Sequence, residues 1–106
     1  MSTFRSSTSP VKKGDSLVFV IVSTNTSLVP TAADSTPTVT AYASTDVVAK
    51  TNPLTSFTVT AVSAETGVYG VSRSTSDLTA GTVYHAIIAY AVSSANRRQI
   101  VDFLIA

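Results

Sequence analysis

Asp77-Leu78-Thr79-Ala80-Gly81-Thr82-Val83-Tyr84 is the stretch that decides the fold of this chain. It has the form Leu-x-x-Gly-x-x-Tyr and runs straight into the apolar segment His85 to Val92. The segment is too short for a core helix and rich in β-branched and aromatic residues, so a strand is expected over Thr82 to Ser93. Ser74 to Ala80 is the polar crossing before it. Ser94-Ala95-Asn96 reads as a hairpin turn after it, and Arg98 to Ile105 returns as the last strand. Upstream, Glu65-Thr66-Gly67 turns the chain into a strand at Val68 to Ser72. Phe57 to Ala61 alternates cleanly, with Phe57, Val59 and Ala61 on one face and Thr58 and Thr60 on the other. Thr51-Asn52-Pro53 is a turn signal, and a short strand is expected at Asp46 to Ala49. Earlier strands are read at Ser16 to Ser23 and Thr38 to Ala43, with a polar loop between them. That makes about seven short strands, turn signals at roughly 8–12-residue spacing, and no helix-period stretch, which is the pattern of an all-β sandwich.

Composition agrees with one such domain. The chain has 106 residues, a net charge of +1, 44% hydrophobic residues, 12% charged residues, and no cysteine or tryptophan. The length suits one domain. The mean hydropathy of +0.33 argues against disorder. No run approaches the roughly 18–20 apolar residues of a spanning helix. A disulfide scaffold is excluded, so the core must hold itself together. Serine and threonine fill nearly a third of the chain, which favours solvated strand faces. Residues 1–14 read as an extended N-terminal arm and residues 15–106 as the β-sandwich domain. The arm is polar, lacks a secretory apolar core, and carries Arg5, Lys12 and Lys13 with no acid before Asp15.

The Leu78, Gly81, Tyr84 motif resembles the tyrosine corner of immunoglobulin-like and fibronectin type III domains. Gly67-Val68-Tyr69 is similar to the Gly-x-Tyr entry of the strand before the crossing. The resemblance covers about Pro37 to Ile105. It implies that Tyr84 bonds back to the crossing loop, that Leu78 plugs the end of the core, that Gly81 permits the bend, and that Tyr69 belongs to the fold. The core tryptophan and paired cysteines of antibody domains are absent.

If Tyr84 points inward, Ala86, Ile88, Tyr90 and Val92 follow it, and His85, Ile87, Ala89 and Ala91 face outward. That outer face is too apolar for plain solvation. Leu17, Phe19 and Ile21 likewise alternate with Val18, Val20 and Val22. A set of such residues left in water forms a patch that marks an interaction surface. Either the arm packs over it, or another protein does. The second is preferred, because three strands share the pattern, the last setting Val101, Phe103 and Ile105 against Ile100, Asp102 and Leu104, and the three are expected to be neighbours or edges of the sandwich. Val18, Val20, Ile87, Ala89 and Ala91 are therefore the expected contact face, and Arg5, Lys12 and Lys13 the expected reach to a neighbour.

No catalytic set is legible. His85 is the one histidine and reads as an outward strand residue. No Gly-x-Ser-x-Gly elbow occurs. The acids are scattered singly and read as turn or cap residues. One histidine and no cysteine exclude the usual zinc site. The basic residues are too few for nucleic acid, and Arg97-Arg98 reads as a solvated hairpin tip. Sugar binding would draw on Tyr42, Tyr69 or Tyr90, of which at least two are expected in the core. Asn25-Thr26-Ser27 matches a glycosylation acceptor only if the chain is secreted.

A short, cysteine-free, low-charge Ser/Thr/Val-rich sandwich with a polar arm resembles the small immunoglobulin-like accessory proteins of tailed bacteriophage virions, of the head decoration or cement type. That resemblance implies a non-enzymatic protein without cofactor that docks on the major capsid protein or another virion protein, forms homo-oligomers and resides in the virion. A carbohydrate- or cell-surface-binding module, or another phage component of tail, neck or shell, is the alternative.

Overall fold

The computed structural model describes residues 3–7 and 10–106, with side chains described from Pro10 onward. Seven strands follow in order: β1 (Thr3–Ser7), β2 (Ser16–Val22), β3 (Thr38–Ala43), β4 (Thr58–Ala61), β5 (Val68–Ser74), β6 (Val83–Val92) and β7 (Ala95–Leu104). They form a four-stranded sheet in the order β1-β7-β6-β3 and a three-stranded sheet in the order β2-β5-β4. This is an immunoglobulin-like sandwich. β2, β5 and β4 take the places of strands B, E and D, and β3, β6 and β7 those of C, F and G. The fold class expected from the alternation is the one observed.

The strands differ from expectation in three places. The short strand expected at Asp46 to Ala49 is a turn. The N–H groups of Asp46 and Val47 both donate to Ala43 O, at 2.9 and 3.0 Å, which winds the chain away from any sheet. The seventh strand is instead β1, and it is parallel to β7, so the strands are not all antiparallel. The extended arm expected over residues 1–14 thus contributes a strand to the four-stranded sheet. Thr3–Ser7 is an edge strand, and Val11 continues it by donating to Leu104 O at 2.9 Å and accepting from Ala106 N at 2.7 Å.

The third difference is the last hairpin. Val92 pairs directly with Ala95, so the loop is Ser93-Ser94 alone. Both serines have positive φ, 50° and 66°, as a two-residue type I′ turn requires. Neither is the Asn or Gly that favours this conformation. The carboxylate of Asp34 offsets the strain by accepting from Ser93 N at 3.0 Å and Ser94 N at 2.9 Å. The tighter turn starts β7 at Ala95 and turns Arg97 inward opposite Tyr90. Arg97 is buried, not a solvated tip, while Arg98 is exposed.

The core lies between the two sheets, where the inward alternation places it. Leu17, Phe19 and Ile21 of β2 and Val71 of β5 face Ala86, Ile88 and Tyr90 of β6 and Val101 and Phe103 of β7. Each of the Val, Leu, Ile and Phe side chains contributes roughly 1.5–3 kcal/mol by burial. Leu78 and Ile105 close one end. The Tyr84 ring stacks on Phe103, centroids 5.5 Å apart and planes 19° off parallel.

Candidate functional site

The Tyr84 hydroxyl accepts from Thr79 N at 3.0 Å, so the strand β6 and its crossing loop are tied by one side chain. Gly81, in the same loop, has φ +82° and donates to Ile105 O. Leu78 is buried at the loop's foot. Tyr69 has a parallel role: its ring is buried, and its hydroxyl accepts from Ala33 N at 3.1 Å, pinning the long β2–β3 loop. Tyr90 is also buried, so two of the three tyrosines considered for sugar stacking are core residues. Tyr42 remains on the outer face, half-buried, beside a hollow of about 150 Å³ that Lys50 and Arg98 also line.

The residues of the expected contact face do not lie together. Ile87, Ala89 and Ala91 point outward from the four-stranded sheet, because their neighbours Tyr84 to Val92 of even number point in. Val18 and Val20 point outward from the three-stranded sheet, on the opposite side of the sandwich. β2 is not a neighbour of β6 or β7, and this divides the apolar face into two. Ile87 is half-buried among Ile100 and Val47, whereas Val18 and Val20 are 64% and 60% exposed. Lys12 and Lys13 are exposed in the turn after Val11, and Lys13 N donates to Ala106 O at 3.1 Å. The backbone of Arg5 lies in β1 opposite Ile100, and its side chain is outside the described residues.

Val18 and Val20 also carry an open backbone edge. Val62 N donates to Val68 O, so the even residues of β5 face β4. Ser23 N donates to Gly67 O, so the odd ones face β2. Their partners on β2 are Leu17, Phe19 and Ile21. Val18 and Val20 therefore turn their N–H and C=O groups away from β5. Among the described residues no strand pairs with that edge. In a constant-type immunoglobulin sandwich the first strand would cover it. Here the first strand lies beside β7 instead. At the far end of the edge, Val22 O is capped across the sandwich by the Gln99 side-chain amide.

On the four-stranded sheet a polar cluster stands among the apolar residues. The register sets His85 of β6 directly opposite Asp102 of β7, and Nδ1 lies 2.6 Å from Asp102 Oδ1. Ser44, the first residue past β3, places Oγ 2.8 Å from His85 Nε2 and 3.2 Å from Val83 O. The Ser44 backbone is held in turn, since its N–H donates to Val83 O at 3.1 Å. His85 and Asp102 side chains are 15% and 18% exposed, while Ser44 is exposed. Sequence alternation put His85 on this face but did not bring it a partner.

No cluster of three or more metal-ligating side chains occurs among the described residues. Nor, among those residues, is any helix long and apolar enough to cross a membrane.

No family model matches this chain, and no curated protein matches it. Among solved structures the M1 domain from titin is similar, with 13% identity over 97% of this chain and 87% of that chain and a TM-score of 0.46. The fold assignment rests on the strand order and pairing described above, independently of that likeness.

Proposed function

We propose that this chain is a structural protein of a tailed-phage virion, a head decoration or cement protein that binds the major capsid protein and bridges shell subunits. The observation that carries the binding role is the outer face of β2. Two valines more than half exposed stand beside an uncharged strand edge that no strand pairs with among the described residues. Such an edge is a template for another strand, and natural proteins blunt it with charge, proline or a bulge unless it is meant to pair. Leu17 to Val22 has none of these. A partner that adds a strand there gains main-chain hydrogen bonds and covers Val18 and Val20 at once. The virion assignment comes from the composition and motif style of the sequence. Homo-oligomers on the shell surface are part of the same proposal.

The test is cosedimentation with shells assembled from the capsid protein of the genome that encodes this chain. Binding should saturate at a fixed ratio to shell subunits and disappear in the Val18→Lys, Val20→Lys double variant. Absence of the wild-type chain from the shell pellet at micromolar concentration overturns the proposal. A second reading, glycan binding, is favoured only by Tyr42 on the outer face. Glycan-array signal that is lost in Tyr42→Ala would establish it.

A further inference from the structure

Ser44, His85 and Asp102 are joined in the order that activates a serine hydroxyl. A carboxylate only accepts hydrogen bonds, so Asp102 selects the tautomer with the proton on Nδ1. In the neutral ring that leaves Nε2 as an acceptor, 2.8 Å from Ser44 Oγ. The Ser44 hydroxyl has one proton and two acceptors in reach, His85 Nε2 at 2.8 Å and Val83 O at 3.2 Å; in the shorter contact the proton points at a base, and the base is oriented by a third group. The three residues are far apart in sequence, 41 positions between Ser44 and His85 and 17 between His85 and Asp102. They are assembled by the β3–β6–β7 register. Beside the imidazole is a hollow of about 110 Å³ whose other walls are Val47, Ile87 and Ile100. It is apolar and suits a short aliphatic chain.

Beyond the binding role, we infer that Ser44 is a nucleophile that accepts acyl groups from esters of short carboxylic acids. His85 is its general base, and Asp102 is a positioning residue. Ser44 Oγ attacks the ester carbonyl carbon, and its proton passes to His85 Nε2. The bond from that carbon to the leaving oxygen breaks, and the leaving oxygen takes the proton from Nε2. The products are Ser44 acyl ester and an alcohol, with no redox change. Water, activated by the same imidazole, releases the acid and restores Ser44.

The probe is p-nitrophenyl butyrate on the full chain, with release of p-nitrophenolate followed by absorbance and the acylated residue located by peptide mass spectrometry. Exposed serines of the same chain, Ser27, Ser35 and Ser63, are internal controls. Acylation of Ser44 should outpace theirs by at least about 100-fold, the lower end of what a positioned general base supplies. His85→Gln should remove that advantage while thermal unfolding stays cooperative. Asp102→Asn should cut the rate, and Asp102→Glu should recover part of it, which a merely structural carboxylate would not do. Labelling spread evenly over the serines, or a Ser44 rate unchanged in His85→Gln, overturns the inference. Should a variant fail to fold, the selectivity among serines of the wild-type chain decides it alone. Ser44→Ala should leave shell binding unchanged, so this inference and the binding role fail separately.

Discussion

The Tyr84 ring lies on Phe103 while its hydroxyl reaches back to Thr79 N, so one residue serves both core and loop. Tyr84→Phe keeps the stacking and leaves the Thr79 N–H without its partner. A loss of about 1–2 kcal/mol in urea unfolding is expected, with little change in the slope. Two glycines separate backbone strain from crowding. Gly81 has φ +82° with open space where a Cβ would stand, so Gly81→Ala should cost about 1–2 kcal/mol from the left-handed conformation alone. At Gly67, φ is +80°, and a Cβ would meet Thr31 N at 2.7 Å and Ser23 O at 2.9 Å. Gly67→Ala should therefore cost clearly more, about 3 kcal/mol or above. Equal losses in the two variants would refute the distinction. The Leu-x-x-Gly-x-x-Tyr motif made Gly81 and Tyr84 legible in the sequence. Gly67 was legible as a turn residue and as the entry to the Tyr69 strand but not as a crowded one, because Ser23 and Thr31, which would meet its Cβ, belong to the distant β2–β3 loop. Buried Ser23, whose hydroxyl donates to Thr31 O, belongs to the same crowded junction. Nothing local in the sequence marks it.

At the scale of elements, the β6–β7 hairpin and the β2 edge each carry a prediction. The Ser93-Ser94 turn is strained at both residues and held by Asp34. Asp34→Ala should destabilise by about 1–2 kcal/mol through loss of two charge-assisted hydrogen bonds. Ser94→Gly should stabilise by about 0.5 kcal/mol, because glycine relieves the left-handed strain but adds entropy to the unfolded chain. Thermal melts of the two variants, shifting in opposite directions, would check this. The crossing from β5 to β6 is tied by Arg73, which donates to Thr55 O at 2.7 Å and to Asp77 at 2.8 and 3.1 Å. The Arg73 hydrogen bonds, with its charge, hold the Asp77 carboxyl below its usual 3.8. A depressed folded value means that the contribution is present above the unfolded value and fades as pH falls through the folded one. Acid titration of wild type and Asp77→Asn should show the two separated above the ordinary carboxyl value of 3.8 and converging as the pH falls below the depressed folded one. Since Asp77 is exposed, the separation should be small. On β2, Val18→Lys and Val20→Lys should leave the melting temperature nearly unchanged, as both side chains already stand in water. The alternation of β2 was legible in the sequence. That its edge is open was not, since it depends on where β1 goes.

For the whole molecule, the sandwich depends on one apolar core with no disulfide to secure it. Phe103 is 1% exposed and sits under the tyrosine corner. Phe103→Ala should cost about 3–5 kcal/mol, enough to unfold a domain of ordinary stability near its working temperature, as a denaturation curve would show. The sequence by itself determined the fold class, the inward set on each long strand, and the excess of apolar residues over what the core needs. Each of these follows from period-two alternation and turn chemistry, which are local properties of the chain. Only the tertiary structure decided that β1 pairs with β7 in parallel, that Val18 and Val20 lie on the opposite sheet from Ile87, and that Ser44 and Asp102 meet His85. Those outcomes depend on which strands become neighbours and in what register. That is set by packing two sheets against one core, and residues 41 positions apart carry no local sign of it.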